Sequence, residues 1–289
     1  MSAAQLQAAG AAGAAGTGGP APAASAQPVP SRLVRARDVL ASEWTKLRSL
    51  RSNRWTLAVA ALVTLVLTAV VAQAFAASPA GGNHAAVMDR LATSFLAYAE
   101  YLVLPVTVLS VLVFTSEYGS GLIRTTFSAV PRRQAVLAAK AAVTGAAALV
   151  VGEILAFACF FLTQAILSGR HGGLSLADPG ALRAVLAAGF VLAACALTGV
   201  GAGAIVRHTA GAIAAAITLV CLLALLCLAL PAPWNLRLGR FTLPFAAYGE
   251  VAAHPPAGLL SPWLSLLVLI AWPAVTLLAA GFVLTRRDV

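Results

Sequence analysis

SEYGSGLIRTTFSAVPRRQAVLAAK, Ser116 to Lys140, is the one polar, charge-bearing stretch that divides the apolar mass of the chain without reading as a simple loop. Leu122, Ile123, Phe127 and Val130 recur at helical spacing, with Arg124, Thr125 and Ser128 on other faces. That spacing predicts a short helix with one side on membrane or packed protein and the other in water. Gly119 and Gly121 loosen the chain before it, as a sharp turn out of a membrane helix requires. Pro131 ends the short helix, because the residue before a proline is pushed out of helical geometry, and it suits the first turn of the next helix. Arg132, Arg133 and Lys140 mark the cytoplasmic start of a following span. The stretch is a cytoplasm-facing helical elbow between two spans.

What the elbow interrupts is set by composition. Of 289 residues, 61% are apolar and only 10% charged, and the mean hydropathy is +0.92. A soluble domain carries about a quarter charged residues, so an integral membrane protein is expected. The net charge of +10 is no nucleic-acid signature. The basic residues flank apolar runs and form no aromatic-interleaved patch, so they act as topology signals, with some contact to anionic lipid. Cys159, Cys195, Cys221 and Cys227 lie inside apolar runs without metal-like spacing, and are expected to be packing residues.

Residues 1–31 are low-complexity Ala, Gly, Pro and Gln without a charge, expected as a disordered cytoplasmic tail and not as a targeting segment. Residues 32–54 change character. Leu33, Leu40, Trp44 and Leu47 fall near one helical face, and Arg35, Arg37, Lys46, Arg48, Arg51 and Arg54 fill the rest. This predicts a basic amphipathic helix along the inner membrane surface. The remainder, 55–289, divides into six spans: about 55–77, 91–115, 135–167, 181–206, 210–230 and 262–285. Short external loops are expected at Ser78–Arg90 and Gly169–Asp178, a tight inner turn at Arg207-His208, and a longer external segment over Pro231–Ser261. That segment, with Trp234, Phe241, Phe245 and Tyr248, fits short re-entrant or interfacial helices as well as an interfacial loop. Of the 19 Lys and Arg residues, all but Arg90, Arg170, Arg183, Arg237 and Arg240 fall on the inner side of this layout. The expected fold is therefore an all-α membrane protein, six transmembrane helices preceded by an interfacial amphipathic helix, both termini cytoplasmic.

The order Glu117, Gly119, Gly121, Arg124, Pro131, Arg133, Lys140 also resembles the pattern after the second span in permease subunits of ABC transporters of the type-2 exporter class. The layout is similar from about Arg32 to the C-terminus. The resemblance implies that this stretch, with Arg132, is a coupling segment docking on a separate ATP-binding subunit. It implies a second permease copy or homologue as partner and a connecting helix before the first span. It also implies a bacterial plasma membrane location and a region between the last two spans that gates exit. The expected activity is ATP-driven transport, as an exporter, of a lipid-like, drug-like or other hydrophobic or amphipathic substrate.

No ATPase is expected in this chain. Lys46 follows Thr45 and Lys140 follows Ala139, so there is no GxxxxGK[ST] phosphate loop, and ATP would be bound by a partner subunit. Gly199, Gly201 and Gly203 lie inside a span with no preceding strand, which favours close helix packing over a dinucleotide loop. Glu153 is placed mid-span and Glu100 in the outer third of its span. A charge there is costly and usually faces the bundle interior, so both are possible intramembrane polar sites. His84, His171, His208 and His254 are scattered without ligand spacing, and no catalytic constellation or metal site is expected. Two other classes remain open on the residues alone: an ion-coupled secondary transporter using Glu153, and a non-transporting membrane anchor or signalling subunit.

Overall fold

The apolar runs become long helices because a backbone in lipid must satisfy its own N–H and C=O groups. The computed structural model describes residues 36–49, 51–77, 84–130, 132–168, 175–252 and 258–286. The N-terminal tail over 1–31, like residues 32–35, lies outside them. The helices are α1 (Ala36–Ser49), α2 (Arg51–Ala77), α3 (His84–Gly119), α4 (Leu122–Ala129), α5 (Arg133–Leu167) and α6 (Ala181–Val206), followed by α7 (Thr209–Ile217). A π turn, Thr218–Leu222, joins α7 to α8 (Leu223–Leu228), and α9 (Trp234–Gly239), α10 (Leu243–Val251) and α11 (Pro262–Arg286) complete the chain. Among the described residues, six segments are long and apolar enough to cross a membrane: α2, the 102–119 part of α3, α5, α6, α7 through α8, and α11. Large apolar side chains such as Trp55, Val66, Trp263 and Leu278 point outward. The chain is a multi-pass membrane protein.

α6 is the central post, packed on α3, α5, α7, α10 and α11. Its Ala- and Gly-rich sequence is the reason, since without a hydrophobic drive between helices in lipid, close backbone approach supplies the attraction. A Cβ at Gly199 would stand 2.8 Å from the Thr107 carbonyl oxygen, and one at Gly203 would stand 2.9 Å from that of Val111, both on α3. Gly201, on another face, meets Thr276 of α11 in the same way at 2.8 Å. α2 packs more loosely, burying only the fourfold-spaced ridge Thr64, Thr68, Ala72, Ala76. Thr68 reaches Cys159 Sγ on α5 at 3.4 Å.

The helices alternate between two ends of the bundle. At one end Arg133 bonds the Leu284 carbonyl and Arg207 stacks over Tyr118; at the other Arg183 bonds the Ala252 carbonyl. The first end carries α1 and α4, the second α9 and α10.

Two local readings change, and one that stood open is narrowed. The amphipathic helix is described to Ser49 and the first span from Arg51, so Arg51–Arg54 form the first turn of α2. α3 begins at His84, making most of the expected loop Ser78–Arg90 helical; HAAVMDR holds no residue that breaks a helix. Of the two readings of the segment 231–261, short helices or a loop, its described residues show short helices, α9 and α10, and α10 buries Leu243, Ala246, Ala247 and Val251 inside the bundle.

Candidate functional site: a charged elbow at one end of the bundle

The elbow is built as a bracket. α3 stops where Gly121 takes φ 73°, a left-handed conformation open to glycine at little cost. Nothing lies within 4 Å of where its Cβ would be, so the torsion, not crowding, demands glycine. α4 then plants Ile123 in a cluster with Phe114 of α3, Leu137 of α5, Val200 of α6 and Leu284 of α11. Leu122, Thr125 and Ser128 form its exposed stripe. Arg133 fastens the far side: its Nη1 donates to the Leu284 carbonyl at 3.0 Å, and its guanidinium sits 5.6 Å from the Phe127 ring centre. Carbonyls at a helix end lack intrahelical partners, and a basic side chain satisfies one here.

Beneath the bracket lies a buried ion network. Lys140, 1% exposed, donates from Nζ to Glu43 Oε2 at 2.7 Å and to Glu117 Oε1 at 2.6 Å. Lys46 donates to Glu43 Oε1 at 2.7 Å and shares Glu117 Oε1 at 2.9 Å. Two lysines and two glutamates from α1, α3 and α5 thus neutralise one another, with the Lys140 ammonium also 5.6 Å from the Phe114 ring centre. Burial of the Lys46 ammonium disfavours its charge, but the hydrogen bonds and charges of Glu117 and Glu43 outweigh this and hold its pKa above the ordinary 10.5. Glu117, 6% exposed, ends α3 and does not cap α4, which has no side-chain cap. Its carboxylate turns to Lys140 and away from the start of the short helix. Lys140 likewise faces the network rather than water.

Glu43 is the residue that sequence reasoning missed. The apolar residues Leu40 and Trp44 are exposed on α1, as a membrane-facing side would be, whereas Val39 and Glu43 are buried against the bundle. The signal was an acid three residues before Lys46, a spacing that puts the pair on one face. A cavity of about 420 Å³ opens beside the network, lined by Glu43, Lys46, Asn53, Ser116, Glu117 and Lys140. A second, of about 350 Å³ and nearly all apolar, shares Asn53 and Thr144 with it and runs on between α2, α3 and α5.

The remaining expected residues separate. Gly119 ends α3 in open space and Arg132 is exposed; Pro131 and the Arg124 side chain lie outside the described residues, as does that of Glu100. Glu153 is half-buried on α5, further along the helix that carries Lys140, and its Oε2 has no hydrogen-bond partner among the described residues. No group of three or more His, Cys, Asp or Glu side chains able to hold a metal ion occurs among those residues. The arrangement joins three helices, α1, α3 and α5, through charge. No family model matches the chain, and no curated protein matches it.

Proposed function

We propose that this chain is the membrane-spanning permease subunit of an ABC transporter, energised by a separate ATP-binding subunit and working beside a second permease. The observation that carries this reading is the elbow. An eight-residue helix stands between two long helices, its inner face fixed to α3, α5, α6 and α11 and its outer face free. A force on such a bracket passes to four helices at once, and through Lys140 and Glu117 to α1 as well. The adjoining cavities, polar at one end and apolar along the other, suit export of an amphipathic or hydrophobic substrate. On this reading the α4 end faces the cytoplasm of a bacterial cell and the α10 end faces outward, as the distribution of lysine and arginine favours.

The test uses Ser128→Cys, on the exposed stripe. A bifunctional thiol reagent should join it to an ATP-binding protein, and the joined pair should hydrolyse ATP while the purified chain alone does not. Ser128→Trp should leave membrane abundance unchanged and abolish both co-purification of the ATP-binding protein and transport. ATP turnover by the chain alone, or full transport by Ser128→Trp without a bound ATPase, overturns the assignment.

A further inference from the structure

At the opposite end of the bundle, α5, α6, α10 and α11 line an open cavity of about 500 Å³. Two carboxylates line it, Glu153 from α5 and Glu250 from α10, together with Arg183 at the start of α6 and the apolar walls Leu186, Phe190 and Leu266. Glu250 is only 8% exposed, and its Oε2, like that of Glu153, has no hydrogen-bond partner among the described residues. Buried polar groups are nearly always paired, so a buried, unpaired oxygen on each of two acids that border one cavity requires an explanation.

Packing holds both acids where they are. A Cβ on Gly189 would collide with the Glu153 carboxylate, and a Cβ on Gly152, one residue before the acid, would lie 2.9 Å from Gly189 Cα. The two helices therefore approach at backbone distance, and the missing side chain of Gly189 leaves the recess that Glu153 fills. Glu250 is fixed by α10, whose buried residues anchor it against α6 and α11. Arg183 does not cancel the pair. Its Nη2 is committed to the Ala252 carbonyl at 3.0 Å, and it forms no ion pair with either acid among the described residues. Burial pushes the Glu250 carboxyl above its ordinary range, and the Arg183 charge only partly offsets this. Two acids against one base leave the ionised cavity a charge short.

We propose that Glu153, Glu250 and the walls between them form a binding site for an organic cation with an apolar body, reached from the membrane. The unpaired carboxylates supply what a cation needs, and the volume fits a drug-sized molecule. Leu149, Leu182 and Leu186 on its rim are exposed on helices that cross the bilayer, so the ligand arrives through lipid and must be apolar enough to partition there. The inference stands on this cavity alone and does not depend on an ATPase partner.

The experiment uses the full chain, purified and held in nanodiscs of zwitterionic lipid, without ATP. Tetraphenylphosphonium is the probe, and the similarly sized anion tetraphenylborate is the control for partitioning. Saturable binding of the cation and none of the anion is expected. Glu153→Gln and Glu250→Gln, which keep the side-chain shape, should each weaken the cation at least about tenfold, and Leu186→Trp should block it by filling the cavity. Melting temperature is followed for every variant, and Leu186→Trp tests the site without touching either acid. Equal binding of both ions, no saturable cation binding, or unchanged affinity in the two Gln variants and in Leu186→Trp overturns the proposal.

Discussion

Lys140 shows how much one residue can carry. It is among the largest fully buried side chains, and both acids it meets are buried with it. Lys140→Met should cost about 3–5 kcal/mol, because two buried carboxylates, Glu43 and Glu117, are left with only the half-exposed Lys46 as counter-charge. Replacing Glu43 and Glu117 by Leu in the same protein should recover most of that loss, since an apolar set of similar volume is often no less stable. Melting curves of the three proteins in detergent decide it; a single variant melting like the parent removes the network from the account of stability. Lys46 gives the pH dependence its sign. Its pKa is raised on folding, so its contribution is fully present below the ordinary 10.5 and is lost as pH rises through the higher folded value. Melting temperature should therefore lose an alkaline step, above that ordinary value, when Lys46 becomes Gln. None of this was legible from α1 alone. An apolar-face reading selects Leu40 and Trp44, whereas the helix is oriented by Glu43, whose partner is 97 residues away in sequence.

Elements divide into those that the pattern dictates and those that neighbours dictate. The membrane helices were legible because about 20 apolar residues in a row permit little else in a bilayer; α6, Ala181–Val206, begins and ends where hydropathy puts it. α10 was not, because its burial depends on which helices surround it rather than on its nine residues. The glycines sort in the same way. Gly203→Ala should destabilise by about 1–3 kcal/mol, since the new methyl meets the α3 backbone at 2.9 Å and only a helix shift relieves it. Gly119→Ala, with open space around it, should be neutral or slightly stabilising, while Gly121→Ala should cost about 1–2 kcal/mol for its left-handed torsion. Within α4, Ile123→Ala should cost about 2–5 kcal/mol and Leu122→Ala under about 0.5 kcal/mol. Unfolding midpoints of this series check the bracket: if Leu122 and Ile123 prove equal, α4 is not seated as described.

At the scale of the whole molecule, the two ends should lie on opposite sides of the membrane. Ser175→Cys and Ser128→Cys are both exposed, one at each end. An impermeant thiol reagent applied to intact cells should label the first and spare the second; equal labelling would dismantle the alternation of spans. The order in which these parts are made adds a consequence of its own. Glu43 leaves the ribosome 97 residues ahead of Lys140, which at about 5–20 residues per second is a delay of roughly five to twenty seconds. Throughout that interval α1 can offset its acid only with Lys46, three residues along the same helix. Lys140, in turn, begins the third long span with a charge that a bilayer resists, and finds both carboxylates already synthesised. Docking of α1 is thus a late event of biosynthesis that waits for the start of α5, and a nascent chain released before Lys140 should leave α1 open to protease.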